Sequence, residues 1–131
     1  MANKAKGTTI GRVRALGSAH HGTDHWLLQR FTAAGNLITV GYLVFSFLLL
    51  GDLSYERVSV WLSGLGPALA LALLVISVFW HARLGLQVMI EDYVHDRGNR
   101  FAALLVLNLA WFAGTAFGLL CIVSIVAGAA R

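Results

Sequence analysis

Three long runs of this chain carry no Asp, Glu, Lys or Arg: residues 31–51, 58–82 and 101–130, of 21, 25 and 30 residues. A helix rises about 1.5 Å per residue, so about 20 apolar residues cross a hydrocarbon core about 30 Å thick. Each run is long enough to span. Lipid offers the backbone no hydrogen-bond partner, so a spanning segment must satisfy its own amides as a helix. Charged residues make up only 12% of the 131, about half their share in soluble domains. The expected fold is all-α: an integral-membrane bundle of three transmembrane helices.

The boundaries follow from local chemistry. Pro67 suits the first turn of a helix, where its missing N–H would have had no partner. The second span is therefore expected at about 66–93, with the others at about 28–51 and 101–127. Residues 1–26 read as a polar interfacial segment and 27–131 as the anchor domain. The stretch SYERVSVWLSG before the second span reads as a loop carrying an interfacial Trp61. The first 30 residues hold Lys4, Lys6, Arg12 and Arg14 but no apolar core of a signal peptide. The lone Cys121 sits in an apolar run and reads as packing.

Orientation comes from counting cations. Lys4, Lys6, Arg12, Arg14, Arg30, Arg97 and Arg100 fall on one side, Arg57 and Arg131 on the other. That bias places the N-terminus in the cytoplasm or its equivalent. It also accounts for the net charge of +4, which leaves no reason to invoke nucleic acid.

Ionisable groups inside a span are costly and mark candidate sites. His81 is the deepest, about 18 Å along the helix from Tyr93. A neutral imidazole there can bond a serine or a backbone carbonyl, or it can serve as an axial haem ligand. Zinc is disfavoured, because no second His, Cys or carboxylate lies at ligand spacing. The other histidines, His20, His21, His25 and His95, lie at or outside the boundary. One chain thus offers half of a two-histidine haem site, and a partner subunit must complete it.

Gly85, one turn from His81, leaves room either for a flat macrocycle or for close helix packing. Arg83 points about 200° away and is expected to snorkel to the interface or to pair with a partner's carboxylate. Glu91 and Asp92 oppose the dipole at a helix C-terminus. Asp92 with Tyr93 could supply a proton-exchanging carboxylate and a phenolic donor to a quinone, while a tyrosine in an aromatic belt is the plainer alternative. Arg30 can meet a lipid phosphate or a haem propionate, and Trp26 reads as an interfacial anchor. Ala110, Gly114 and Gly118 space small residues by four, a pattern that lets backbones approach within the bundle or against a partner.

The stretch HARLGLQVMIEDYVH resembles the second helix of the D-type membrane-anchor subunit of succinate dehydrogenase (succinate:quinone oxidoreductase). In that family a histidine is followed eleven and twelve residues later by Asp-Tyr, the spacing of His81, Asp92 and Tyr93. GTDHWLLQRFTA resembles the region before the family's first helix, which often ends in Arg-x-Thr or Arg-x-Ser. The likeness covers about residues 15–100 in motifs and the whole chain in topology.

The resemblance implies that His81 ligates haem b, with the second histidine on a C-type cytochrome anchor subunit. It implies that Tyr93 hydrogen-bonds ubiquinone, with Asp92 in the adjoining network and Arg30 at a position compatible with a propionate. Electrons would come from an iron–sulfur subunit after succinate oxidation at a flavoprotein subunit. The chain shows no flavin, nucleotide or iron–sulfur motif, so it is not expected to oxidise succinate alone. A bacterial inner membrane is expected ahead of a mitochondrial one, since no presequence is evident. Two other functions suit the residues: a quinol:fumarate reductase anchor running the reverse reaction, and a non-redox helical membrane subunit with His81 as packing.

Overall fold

The computed structural model describes residues 22–129. They form four helices: α1 Gly22–Leu48, α2 Tyr55–Ser63, α3 Leu65–Tyr93 and α4 Arg97–Ala129. Helices α1, α3 and α4 are long and apolar enough to cross a membrane. Most of the expected N-terminal segment lies outside the described residues. So do Lys4, Lys6, Arg12, Arg14 and Arg131, which carry most of the charge asymmetry, and His20 and His21.

The helix ends are set by capping chemistry. Helix α1 already begins at Gly22, and Asp24 in its first turn complements the dipole. His25 and Trp26, expected before the first span, are therefore part of the helix. Helix α1 stops at Leu48, and Gly51 then turns the chain with φ +70°, a conformation that favours glycine. Helix α4 starts four residues before the expected 101, because Asp96 caps it. The Asn99 amide donates to Asp96 Oδ1 at 2.9 Å, a standard N-cap bond. Arg100 reaches back and donates from Nε to the Val94 carbonyl at 2.8 Å, closing the end of α3.

The stretch expected as a loop before the second span is instead the nine-residue helix α2. Its Trp61 packs edge-to-face on Phe47, with centroids 5.6 Å apart. Charged Glu56 and Arg57 are exposed while Val58, Trp61 and Leu62 are partly covered, which makes a short amphipathic helix. Two turns are too few for that periodicity to stand out in the sequence.

The three spanning helices form a flat layer. Helix α3 packs against α1 on one side and α4 on the other, while α1 and α4 do not touch. Burial is accordingly slight: Leu43, Pro67, Ala68, Ala70 and Leu84 are the buried residues among those described. Phe31, Phe112 and Phe117 are each about two-thirds exposed, which fits a surface solvated by lipid or covered by other helices. Consecutive spans run antiparallel. The start of α1, the end of α3 and the start of α4 therefore share one end of the layer, and α2 lies at the other.

Candidate functional site

His81 lies in the seam between α3 and α1, half-buried. Its Nδ1 stands 3.1 Å from Thr32 Oγ1. That hydroxyl also lies 3.0 Å from the Leu28 carbonyl and 3.1 Å from the Gln29 carbonyl, one turn back on α1. One turn before His81, Ser77 Oγ donates to the Thr32 carbonyl at 3.0 Å. Gly35 eases this crossing, since a Cβ there would sit a tight 3.3 Å from Ser77 Oγ. His81 Nε2 has no hydrogen bond among the described residues. Of the partners expected for a bland histidine, the seam supplies a threonine hydroxyl rather than a serine or a carbonyl.

A groove of about 360 Å³ runs along the same seam, lined by Leu28, Phe31, Thr32, Gly35, Ser77 and Trp80 among others. It is apolar apart from the hydroxyls. Gly85 faces α1, where an added Cβ would lie 3.7 Å from Gln29 Nε2. That is ordinary contact, so packing against α1 does not itself require a glycine at this position.

The remaining candidate residues lie apart from His81. Tyr93 and Asp92 sit at the end of α3 and are exposed, about 18 Å along the helix from His81. Beside them, Gln87 Nε2 donates to Glu91 Oε1 at 2.8 Å. His95 Nδ1 approaches the Tyr93 carbonyl at 3.1 Å. Arg30 stacks over Trp26, with Cζ 5.2 Å from the ring. Two residues before Thr32, it points about 200° around α1 from the seam. The chain thus brings His81 and Thr32 together and leaves Arg30, Asp92 and Tyr93 open on its surface.

Arg83 meets a partner within the chain that the sequence did not reveal. It was expected to reach the interface or a partner's carboxylate; its Nε donates to Asn108 Oδ1 on α4 at 2.6 Å. The guanidinium also lies over Trp111, 5.4 Å from the ring centre. A neutral acceptor and an aromatic face within the chain hold the cation in place. Asn108 in turn donates from Nδ2 to the Leu104 carbonyl at 2.7 Å, which aims its oxygen at Arg83. Thr32, Ser77 and Asn108 are the polar partners that sequence reasoning missed. Each lies 25 or more positions from the residue it meets, and only helix register pairs them.

Comparison with known proteins agrees with this architecture. Residues 4–127 match the family model described as succinate dehydrogenase/fumarate reductase transmembrane subunit. A succinate dehydrogenase hydrophobic membrane anchor subunit of Rickettsia bellii is 34% identical over 101 residues, covering 76% of this chain and 80% of its own length. The subunit of the same name from Rickettsia conorii is 30% identical over 119 residues, covering 90% and 86%. That from Paracoccus denitrificans is 34% identical over 94 residues, covering 71% of each chain. No solved structure matches. Three apolar spanning helices in one layer, a family match over nearly the whole chain and relatives that all carry the same description lead to one conclusion: the chain belongs to the succinate dehydrogenase membrane-anchor subunit family.

Proposed function

We propose that this subunit anchors a succinate:quinone oxidoreductase, supplies one axial ligand of haem b through His81, and forms one wall of a ubiquinone pocket through Tyr93 and Asp92. The observation that carries the reading is the state of His81. It is an imidazole inside a spanning helix, with Nδ1 occupied by Thr32 and Nε2 without a protein partner among the described residues. A neutral imidazole nitrogen is a standard ligand of haem iron. The apolar groove along the same seam is lined by Thr32 and Ser77, not by His81 itself. When bound, the haem would supply a one-electron carrier within the membrane.

One histidine makes half a site, so a C-type cytochrome anchor subunit would provide the other. The flat layer agrees with that need, because its faces are left for lipid or neighbouring helices. Arg30 is better placed for a lipid phosphate than for a propionate, since it points away from the His81 seam. The flavoprotein subunit would oxidise succinate, and the iron–sulfur subunit would dock at the end of the layer that holds Tyr93. Arg97 and Arg100 share that end, which supports a cytoplasmic placement by the positive-inside rule. A bacterial inner membrane is the proposed location.

At the quinone, this chain's part is positioning and hydrogen bonding. The Tyr93 phenol would donate to a carbonyl oxygen, and that bond strengthens as negative charge builds on reduction. Asp92, exposed to solvent beside it, would exchange the protons that the reduced quinone takes up. Both groups are open at the end of α3, where a neighbouring subunit could close the pocket.

The test is a reduced-minus-oxidised spectrum of the purified complex and its turnover. His81→Ala should abolish the haem b signal; an unaltered bis-histidine spectrum would exclude His81 as a ligand. Tyr93→Phe should leave succinate oxidation by an artificial acceptor intact while slowing ubiquinone reduction about tenfold, or ~1.4 kcal/mol. Unchanged ubiquinone turnover would remove Tyr93 from the pocket.

A further inference from the structure

Thr32 and His81 meet in a way that fixes more than distance. A hydroxyl carries one hydrogen and two lone pairs. In a helix, a threonine hydroxyl commonly gives that hydrogen to the carbonyl three or four residues back. Thr32 Oγ1 has both such carbonyls within reach, Leu28 at 3.0 Å and Gln29 at 3.1 Å. With its hydrogen directed back along α1, the oxygen can meet His81 Nδ1 only as an acceptor. His81 must then carry its proton on Nδ1, and the lone pair lies on Nε2.

A second contact holds the acceptor still. Ser77 Oγ donates to the carbonyl of Thr32 itself. Ser77 and His81 are four residues apart on one face of α3, so a single residue of α1 is gripped at its carbonyl and at its hydroxyl. The acceptor cannot drift along the seam without breaking the Ser77 bond. Gly35 eases the close approach of the helices at these contacts.

We infer that Thr32 is the positioning residue of the haem-ligand histidine: it selects the tautomer that presents Nε2, locks the ring plane, and increases the electron donation of the imidazole through the Nδ1–H bond. The inference rests on the reading of His81 as a haem ligand. Hydrogen-bond acceptors behind a metal-bound imidazole act in this way, and their loss typically weakens metal binding by about 10–100-fold. Stronger donation stabilises the oxidised iron, so Thr32 lowers the haem midpoint potential.

The experiment uses the complete complex with Thr32→Val and Thr32→Ser. The valine keeps the shape and removes the acceptor; the serine retains a hydroxyl. Thr32→Val should loosen haem retention about 10–100-fold, raise the midpoint potential and shift the low-spin electron paramagnetic resonance signal. Thr32→Ser should restore all three. Retention, potential and resonance in Thr32→Val equal to those of the parent, in a complex where His81→Ala removes the haem signal, would overturn the inference and leave the ligand assignment standing. A haem signal that survives His81→Ala would overturn both. If Thr32→Val fails to assemble, the reduced parent complex with ¹⁵N-labelled histidine decides. A hydrogen-bonded proton on His81 Nδ1 upholds the inference, and a free one overturns it.

Discussion

The two seams of α3 are built on different physics. Towards α4 the contact is steric. Phe79 and Val75 fill the notches left by Gly114 and Gly118; a Cβ on Gly114 would strike the Phe79 ring, and one on Gly118 would lie 2.8 Å from Val75 Cγ1. Trp80 and Trp111 meet edge-to-face at 5.7 Å. Towards α1 the contact is polar, made by Thr32, Ser77 and His81 across the seam. Membrane helices gain nothing from hiding apolar surface from lipid, so they associate through close packing or through hydrogen bonds. Close packing predominates towards α4, with Arg83–Asn108 as the added polar contact, and hydrogen bonds predominate towards α1. Among the described residues the polar side leaves His81 Nε2 without a partner, while on the steric side the indole nitrogens of Trp80 and Trp111 are buried without one.

The largest effect should come from filling a notch. Gly114→Leu forces the Phe79 ring out of place, and overpacking of this kind costs about 1–3 kcal/mol. The unfolding midpoint of the purified complex should fall well below that of Gly41→Leu, because a side chain at Gly41 meets nothing within 4 Å. Equal midpoints for the two variants would refute steric control of the α3–α4 seam.

A moderate effect is expected where the steric seam holds a charge. Asn108→Leu removes the acceptor of Arg83 Nε. Hydrogen bonds between membrane helices average about 0.6 kcal/mol, with a maximum near ~1.7, and a charged donor should lie at the upper end. A double-mutant cycle of Asn108→Leu with Arg83→Met isolates the coupling. Additive losses would mean that Trp111 alone positions the guanidinium.

The smallest effect lies outside both seams. In the turn after α1, Ser54 donates to Asp52 from its hydroxyl at 2.8 Å and its amide at 3.0 Å. These two bonds, followed by nearby Arg57, hold the Asp52 carboxyl below its ordinary value of 3.8. A carboxylate more acidic in the folded state stabilises that state above the unfolded value, and the contribution fades as pH falls through the folded one. Asp52→Ala should therefore lower the melting temperature slightly at neutral pH and match the parent in strong acid. A gap that widens on acidification would reverse the assignment. Neither seam should register the change in its spectra.

Much of the architecture was legible in the chain because lipid imposes so few choices. A charge-free run of 21 residues or more is long enough to supply a span, and whatever part of it spans must be helical. The small residues at 110, 114 and 118 were legible as a packing stripe, although the pattern left open whether they face the bundle or a partner. Helix α2 was missed because nine residues give too little periodicity to set against Glu56 and Arg57. The true start of α4 was visible in Asp96, a good N-cap residue three positions before an amide it could accept.

The site divides along the same line. The sequence by itself determined that an imidazole and a guanidinium lie inside a membrane-spanning helix, because hydropathy and length do not depend on neighbours. Only the tertiary structure decided that Thr32 stands behind His81 and Asn108 behind Arg83. Those pairings depend on how far each helix slides and turns against the next, which is set by side-chain interlocking at glycines and by hydrogen bonds between residues 25 to 49 positions apart. Within one helix, spacing dictates which residues are neighbours; between helices, packing does.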